Sequence, residues 1–350
     1  MKLSVCIPTY NRAKYLANCL QSIIFNNINN NIDCEVCVSD NCSTDNTEDV
    51  VLNAQNSINI KYHKNKKNEG RVKNYLNVVN MAEGEYVWLL GDDDLLLPHA
   101  LTKIVSLIKE NKDVDFFYVN SFNLSTEYVL SFPQPFNIRN LPVKLAPFSC
   151  PSEEGKRSFI SLVNPKISSD FMGAMFLAVF RKNNWIRNTD ALNVDAIMDN
   201  RTFSHFDNTF PHLKIFTRAF ANSEAYFFPS PLTVNLSGAR EWSPMSPLIN
   251  IVRLIEALNE YRKNGLPWFQ YYKCKNFALR TFWPDYIRLI LNRKESGYEY
   301  INPITLLLNS LLFPYSYLSP LYYFFQKIKK KDVVILPNKS SSDDCEQRIK

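Results

Sequence analysis

Three consecutive carboxylates, Asp92, Asp93 and Asp94, stand between two aliphatic runs in "VWLLGDDDLLLP", residues 87–98. Like charges at adjacent positions repel, so such a run needs something positive beside it. Carboxylate oxygens are the hard ligands that Mg2+ and Mn2+ prefer, and these ions commonly bridge to substrate phosphates. The chemistry that fits first is therefore cation-assisted work on a phosphorylated substrate. The alternative is a solvated turn whose carboxylates favour the positive end of the following helix.

The elements that would position this cluster are legible in the hydrophobic periodicity. Residues 3–7 form an apolar run stopped by Pro8, the pattern of a buried strand reaching a loop. Leu16, Cys19, Leu20, Ile23 and Ile24 then recur at helical spacing, with Asn11 placed to cap the helix. "CEVCVSD" reads as a second strand, Thr44 or Asp45 opens a helix, residues 58–62 are strand-like, and Val72, Tyr75, Leu76 and Val79 mark another helical face. "EYVWLL", a helix over 98–109 and "VDFFYVN" continue the series. Strands alternating with helices predict βαβ units and a mostly parallel sheet flanked by helices, an α/β fold. Ligands in such folds bind beyond the carboxyl ends of the strands. Four polar clusters fall there in succession: "PTYNR", "SDNCSTD", "KNKKNEG" and "GDDD".

Composition narrows what that rim can bind. The chain has 350 residues, 46% of them hydrophobic, enough for one or two cored domains. A formal net charge of +6 without a dominant basic patch does not point to nucleic acid; an anionic small molecule or a membrane surface fits it as well. No GxGxxG, GxxxxGK[ST] or HExxH is present, so neither a dinucleotide fold, a P-loop nor a zinc-protease helix is supported. The eight cysteines lie mostly in apolar periodic segments and read as reduced and cytosolic, and the Cys34/Cys37 pair runs into a strand with no partner pair at zinc spacing. The apolar run before Pro8 is too short for a secretory signal.

Beyond Pro247 the sequence turns helical and aromatic, then uncharged over 300–326. Pro303, Pro314 and Pro320 break that run, and its five tyrosines suit an interface better than a hydrocarbon centre. Lys327, Lys329, Lys330 and Lys331 follow at once, the arrangement of a segment lying on an anionic leaflet. The competing expectation is a helical subdomain packed on the rest of the chain or on a second subunit.

Together "SVCIPTYNR", "VSDNCSTDNTED", "NEG" with Asn74 following, and "GDDDLLLP" resemble the inverting glycosyltransferases of family 2 over about the first 120 residues. The chain is similar in detail to the abequosyltransferase-like subgroup of O-antigen and capsule enzymes, in which Gly begins the acidic motif. The resemblance implies a GT-A, Rossmann-like fold, to which the residues beyond 247 add an expected C-terminal helical membrane-associating extension. It implies a nucleotide-diphosphate sugar donor and Mn2+ or Mg2+. Pro8, Thr9, Tyr10 and Arg12 match the segment that packs on base and ribose, and Asp40 the carboxylate that bonds the base. Asn68, Gly70 and Arg71 fall where the family's loop meets the nucleotide, with Arg71 a candidate phosphate contact. Asp92 and Asp93 would face ribose and metal, and Asp94 the metal; because Gly91 replaces the first carboxylate of the commoner Asp-x-Asp-Asp, coordination would rest on Asp93 and Asp94.

Inversion also requires a base for the acceptor hydroxyl. The family's Glu-Asp pair is replaced in "SHFDNTFPHLKIF" by Pro211 and His212, leaving His212 or Asp207 as the catalytic candidate, or both as helix-start residues. Arg240 is a candidate to cover the diphosphate. The expected organisation is a catalytic domain over 1–247, with a nucleotide-binding half 1–120 and an acceptor half 121–247. A membrane-associating region over 248–337 and a disordered tail over 338–350 would follow. The expected activity is metal-dependent transfer of a sugar, a deoxy- or dideoxyhexose among the candidates, to a polyprenyl-diphosphate-linked oligosaccharide in O-antigen or capsule synthesis. The expected place is the cytoplasmic face of the inner membrane, peripheral to the inner leaflet, with no nucleic-acid partner. The rivals are a non-catalytic scaffold of a glycan-assembly complex and a metal-dependent nucleotidyltransferase or phosphohydrolase.

Overall fold

The computed structural model describes residues 3–27, 32–149, 153–238 and 242–333, with side chains to Phe325 in the last helix. Arg240, residues 334–337 of the expected membrane-associating region and the expected tail 338–350 lie outside the described residues. Two compact units result: one comprises residues 1–162, 174–191 and 222–239, the other 163–173, 192–221 and 240 onward. The chain thus divides elsewhere than at the expected 247, because 163–173 and 192–221 cluster with the C-terminal helices.

The first unit holds the sheet. Strand β1 (Leu3–Thr9) is buried at every position, as a central parallel strand covered on both faces must be. It is followed by α1 (Ala13–Asn27), β2 (Cys34–Asp40), α2 (Thr47–Gln55), β3 (Ile60–Lys64), α3 (Arg71–Met81), β4 (Tyr86–Leu89), β5 (Leu95–Leu96), α4 (Ala100–Glu110) and β6 (Phe116–Ser125). β7 (Ala146–Pro147), β8 (Gly155–Ser158), β9 (Ala178–Arg181) and β10 (Glu224–Ser237) complete the strands. The order is β3-β2-β1-β4-β9-β6-β10-β5, with β7 on β6 and β8 on β10.

The neighbours β3, β2, β1 and β4 are all parallel, the expected βαβ series. β9 then enters antiparallel between β4 and β6, so the fourth and fifth expected strands are not adjacent. β10 runs parallel to β6 with register shifts around Pro231, which is where a strand tolerates a residue without an N–H. Because the order passes from β2 through β1 to β4, the chain reverses direction across the sheet between β1 and β4. Their carboxyl ends form the switch point at which open α/β sheets bind ligands.

The apolar face expected for α1 is buried at Leu16, Cys19, Leu20, Ile23 and Ile24. Its start differs from expectation: Asn11 has φ +52° and is not the cap. Its Oδ1 accepts the Thr44 N–H at 2.7 Å, while the Ala13 N–H donates to Asp45 Oδ2 at 2.9 Å. Two loops therefore cap one another across β1 and β2. Cys34 and Cys37 are free thiols three apart on one strand and so face opposite sides, which cannot chelate one ion.

The second unit is helical, with α5 (Pro211–Ala219), α6 (Leu254–Lys263), α7 (Trp268–Ala278), α8 (Phe282–Leu291), α9 (Pro303–Ser310) and α10 (Pro314–Val333). Its core gathers Phe203, Leu248, Ile251, Leu279, Phe282, Leu289 and Phe313. Arg253 is buried there without an unmet charge: its guanidinium donates to the Phe203 and Ser204 carbonyls and pairs with Glu256. The prolines act differently from the expected breaks. Pro303 and Pro314 open helices, where the missing N–H costs nothing. Pro320 lies inside α10, and the Ser316 carbonyl it leaves without a backbone donor accepts the Ser319 hydroxyl at 2.8 Å.

Candidate functional site

The parallel register brings the expected rim together. Thr9 pairs with Asp40 and Asp40 with Lys64, and the Asn41, Asn65 and Leu90 N–H groups extend the ladder to the carbonyls of Thr9, Asp40 and Cys6. Asn74, the first buried polar residue of α3, locks this edge. Its Nδ2 donates to the carbonyls of Thr9 (3.2 Å) and Ser39 (2.9 Å), and its Oδ1 accepts the Ser39 hydroxyl at 2.7 Å.

At the β1/β4 switch point the positive partner of the acidic run is a side chain. Arg12 Nε donates to Asp92 Oδ1 and Nη2 to Asp93 Oδ2, both at 2.8 Å, with the guanidinium 4.5 Å from the Tyr15 ring centroid. Thr9 Oγ1 donates to Asp92 Oδ2 at 2.8 Å. Asp92 is 7% exposed, whereas the Asp93 side chain keeps 16% of its surface open. The three carboxylates are thus unequal.

Asp94, 2% exposed, is turned inward: Oδ2 accepts the Gly91 N–H at 3.1 Å and Oδ1 accepts Asn235 Nδ2 at 3.0 Å. A Cβ on residue 91 would meet Asp94 Oδ2 at 2.6 Å, which accounts for glycine where a carboxylate was the commoner residue. The Asp94 oxygens thus hold β10 and the turn, a structural role beside the metal role expected from the sequence.

Burial pushes the Asp92 carboxyl up to about 7, against the pull of Arg12 and with a further push from Asp93. Burial also pulls the Arg12 guanidinium down, but Asp92 and Asp93 more than reverse this and leave it raised. A carboxyl raised on folding contributes stability that is whole below its unfolded value, about 4, and is lost as pH rises through 7. The thermal midpoint of the metal-free protein is accordingly expected to fall between pH 5 and 7.5, measured by calorimetry. Asp92→Asn should flatten that slope, and an unchanged slope would contradict the assignment.

The remaining expected donor residues frame this centre. Pro8 is buried in β1, while Tyr10 is 41% exposed and offers an open ring beside it. Asp40 is fully buried, its Oδ1 accepting the Ser43 N–H at 2.7 Å and its Oδ2 the Tyr62 hydroxyl at 2.8 Å. Asn68 is exposed, and its Oδ1 accepts from Asn41 (2.7 Å) and the Gly70 N–H (2.9 Å). Gly70 has φ +91°, a conformation open to glycine, and launches α3 at Arg71. Burial lowers the Arg71 guanidinium, with Tyr75 pulling the other way. Sequence reading missed Tyr62 and Asn235, whose positions in strand patterns carried no polar-cluster signal.

Asp207 and His212 belong to the second unit. Asp207 Oδ2 accepts the Asn193 N–H at 2.7 Å, and Oδ1 lies 3.6 Å from Lys214 Nζ. His212 is 3% exposed, its Nε2 3.3 Å from the Met172 carbonyl and its ring edge-on to Phe210 and Phe216. Both bury within their own unit, the environment of helix-start and core residues. Among the described residues no group of three or more His, Cys, Asp or Glu side chains is gathered as a metal cage. The hard-oxygen pair Asp92 and Asp93 holds a guanidinium instead, a cation standing between two carboxylates.

Residues 4–155 match the profile of Glycosyl transferase family 2. The abequosyltransferase RfbV of Salmonella typhimurium is 40% identical over 116 residues, 33% of this chain and 34% of that protein. The GalNAc(5)-diNAcBac-PP-undecaprenol beta-1,3-glucosyltransferase of Campylobacter jejuni is 39% identical over 111 residues, 31% of this chain and 35% of that protein. The match therefore spans about a third of the length of these relatives. Among solved structures, S. aureus TarS 1-349 in complex with UDP superposes with a TM-score of 0.57 at 19% identity, covering 93% of this chain and 87% of that one. This likeness is one of fold, and it bears out the GT-A architecture expected from the sequence.

Proposed function

We propose that this chain, which carries a glycosyl transferase family 2 domain over residues 4–155, transfers a sugar from a nucleoside-diphosphate donor to a lipid-linked oligosaccharide with inversion at the anomeric carbon. The observation that carries the reading is the pair of carboxylates, Asp92 and Asp93, closed on Arg12 and Thr9 at the β1/β4 switch point. That seat already accommodates a cation, so the residues fit Mn2+ or Mg2+, with Asp93 as ligand and Asp92 beside it. When bound, the ion supplies Lewis-acid neutralisation of the departing diphosphate.

The chain's own side chains do the rest. Thr9 and Arg12 fix the orientation of Asp92 toward the ribose, and the exposed ring of Tyr10 gives the base a stacking surface. Pro8 lies at the carboxyl end of β1 beside that ring, Asp40 addresses the base from the end of β2, and Asn68, Gly70 and Arg71 close on the nucleotide, with Arg71 toward the phosphates. Arg240, which follows β10 in the sequence, is proposed as a diphosphate contact. Of the two candidate bases we favour Asp207, because the His212 ring is enclosed by Phe210 and Phe216 and its Nε2 already faces the Met172 carbonyl at 3.3 Å.

The proposed acceptor is a polyprenyl-diphosphate oligosaccharide of O-antigen or capsule synthesis, met at the cytoplasmic face of the inner membrane. The two relatives, an abequosyltransferase and a glucosyltransferase named for an undecaprenol-linked acceptor, support that direction. The full protein, given radiolabelled nucleotide sugars, Mn2+ and a lipid-linked acceptor, is expected to move label from one donor into the lipid-extractable fraction. A second reading, a non-catalytic scaffold, is favoured by the burial of both Asp207 and His212. Binding of nucleotide without incorporation from any donor would establish that reading and overturn transfer.

A further inference from the structure

Helix α9 packs Leu306 and Leu307 against the helical core, yet α9 and α10 leave many of their apolar side chains exposed. Along them and the turn between, the buried side chains include Ser310, Ser316 and Ser319, while Leu308, Leu312, Leu318, Leu321, Phe324 and Phe325 are exposed, Leu312 by 79% and Phe324 by 60%. The serines are cheap to bury because each is satisfied locally. Ser310 donates to the Leu306 carbonyl (2.9 Å), Ser316 to that of Phe313 (2.7 Å), and Ser319 accepts the Trp283 N–H of α8 at 3.0 Å.

Tyrosines tie the segment between the two helices to its neighbours. The Tyr317 hydroxyl donates to the Leu311 carbonyl at 2.7 Å, and Tyr272 of α7 reaches the Leu312 carbonyl at 3.4 Å. Leucines and phenylalanines exposed by half or more along two helices are unfavourable in water and mark a surface with an apolar partner. No helix among the described residues is long and apolar enough to cross a membrane.

We propose that this face of α9 and α10 docks the protein on an anionic lipid bilayer, the leucine and phenylalanine side chains entering the headgroup boundary. Charge complementarity selects that occupant. Immediately past Phe325 the same helix carries Lys327, Lys329, Lys330 and Lys331 against a single Asp332, the sequence that an anionic surface attracts. A two-fold dimer through this face would instead bring two such basic runs to one interface. The inference deepens the partner named above, resting for its purpose on the reading of a lipid-linked acceptor and for its geometry on the second unit alone.

The test is co-sedimentation of the full chain with phosphatidylcholine vesicles and with the same vesicles containing phosphatidylglycerol. Nucleotide binding and molecular mass are followed in parallel. The wild type is expected to sediment with the anionic vesicles and to release in high salt. Leu321→Asp with Phe325→Asp, and separately Gln at all four lysines, should each weaken binding at least about tenfold and leave nucleotide binding unchanged. Because the aspartates replace exposed side chains, loss of fold is not expected, and the nucleotide signal verifies it.

Equal binding by all variants would overturn the proposal, as would a wild type that ignores both vesicles. A stable dimer dissociated by Leu321→Asp would overturn it in favour of a second copy. Loss of nucleotide binding in the wild type would strike the donor-site reading and leave the vesicle result standing.

Discussion

Asp93→Asn is expected to slow sugar transfer about a thousandfold, about 4 kcal/mol in the barrier, with folding stability little changed. Asp93 is the carboxylate of the acidic run that keeps an open surface, and its contact with Arg12 Nη2 is made at the edge of the site. Asparagine preserves the shape and one acceptor oxygen but not the charge that a divalent cation requires. Steady-state kinetics with a fixed acceptor would show the loss in kcat, while urea unfolding of the same sample would show an unchanged midpoint. A variant that keeps wild-type kcat would remove Asp93 from the reaction.

One residue further along, Asp94→Ala should do the opposite. The expected loss is about 3 kcal/mol of stability, because two buried donors, the Gly91 N–H and Asn235 Nδ2, lose their acceptor together. Denaturant unfolding measures it, and Asp94→Asn should recover part, since an amide oxygen still serves one donor. If Asp94→Ala were as stable as the wild type while Mn2+ binding disappeared, Asp94 would act as a metal ligand alone and the structural role would fall. The contrast between neighbours follows from orientation: one carboxylate faces the rim, and the other folds back over a glycine that has no Cβ to obstruct it.

Much of the first unit was legible because its signals are local. The buried runs of β1, β2 and β4 and the helical spacing of α1 and α3 required no long-range information, and the polar clusters at strand ends located the rim. What could not be read depends on pairings between distant segments. Asp94 and Asn235 are separated by 141 positions, and nothing in the alternating pattern of β10 singles out Asn235. β9 is four residues long and follows a stretch of irregular turns, too little pattern to reveal that it parts β4 from β6.

The triple carboxylate calls for a positive partner, and beside the divalent cation expected there Arg12 supplies one from 80 residues away. In the C-terminal helices the aromatic and apolar character was plain, but not which side of α10 faces inward. That depends on serines that satisfy themselves with local carbonyls and so occupy positions where an apolar stripe would be sought. Pro320 was misread for a related reason, since the hydroxyl of Ser319 replaces the hydrogen bond that proline removes.

The most direct measurement is thermal unfolding of the full chain with uridine, guanosine, cytidine and thymidine diphosphates, with and without Mn2+, beside the Asp93→Asn variant. A ligand that binds only the folded state raises the midpoint. A donor site built on Asp92, Asp93 and Arg12 predicts a metal-dependent rise with one diphosphate in the wild type and none in the variant. No rise with any of them, or the same rise in Asp93→Asn, would contradict it.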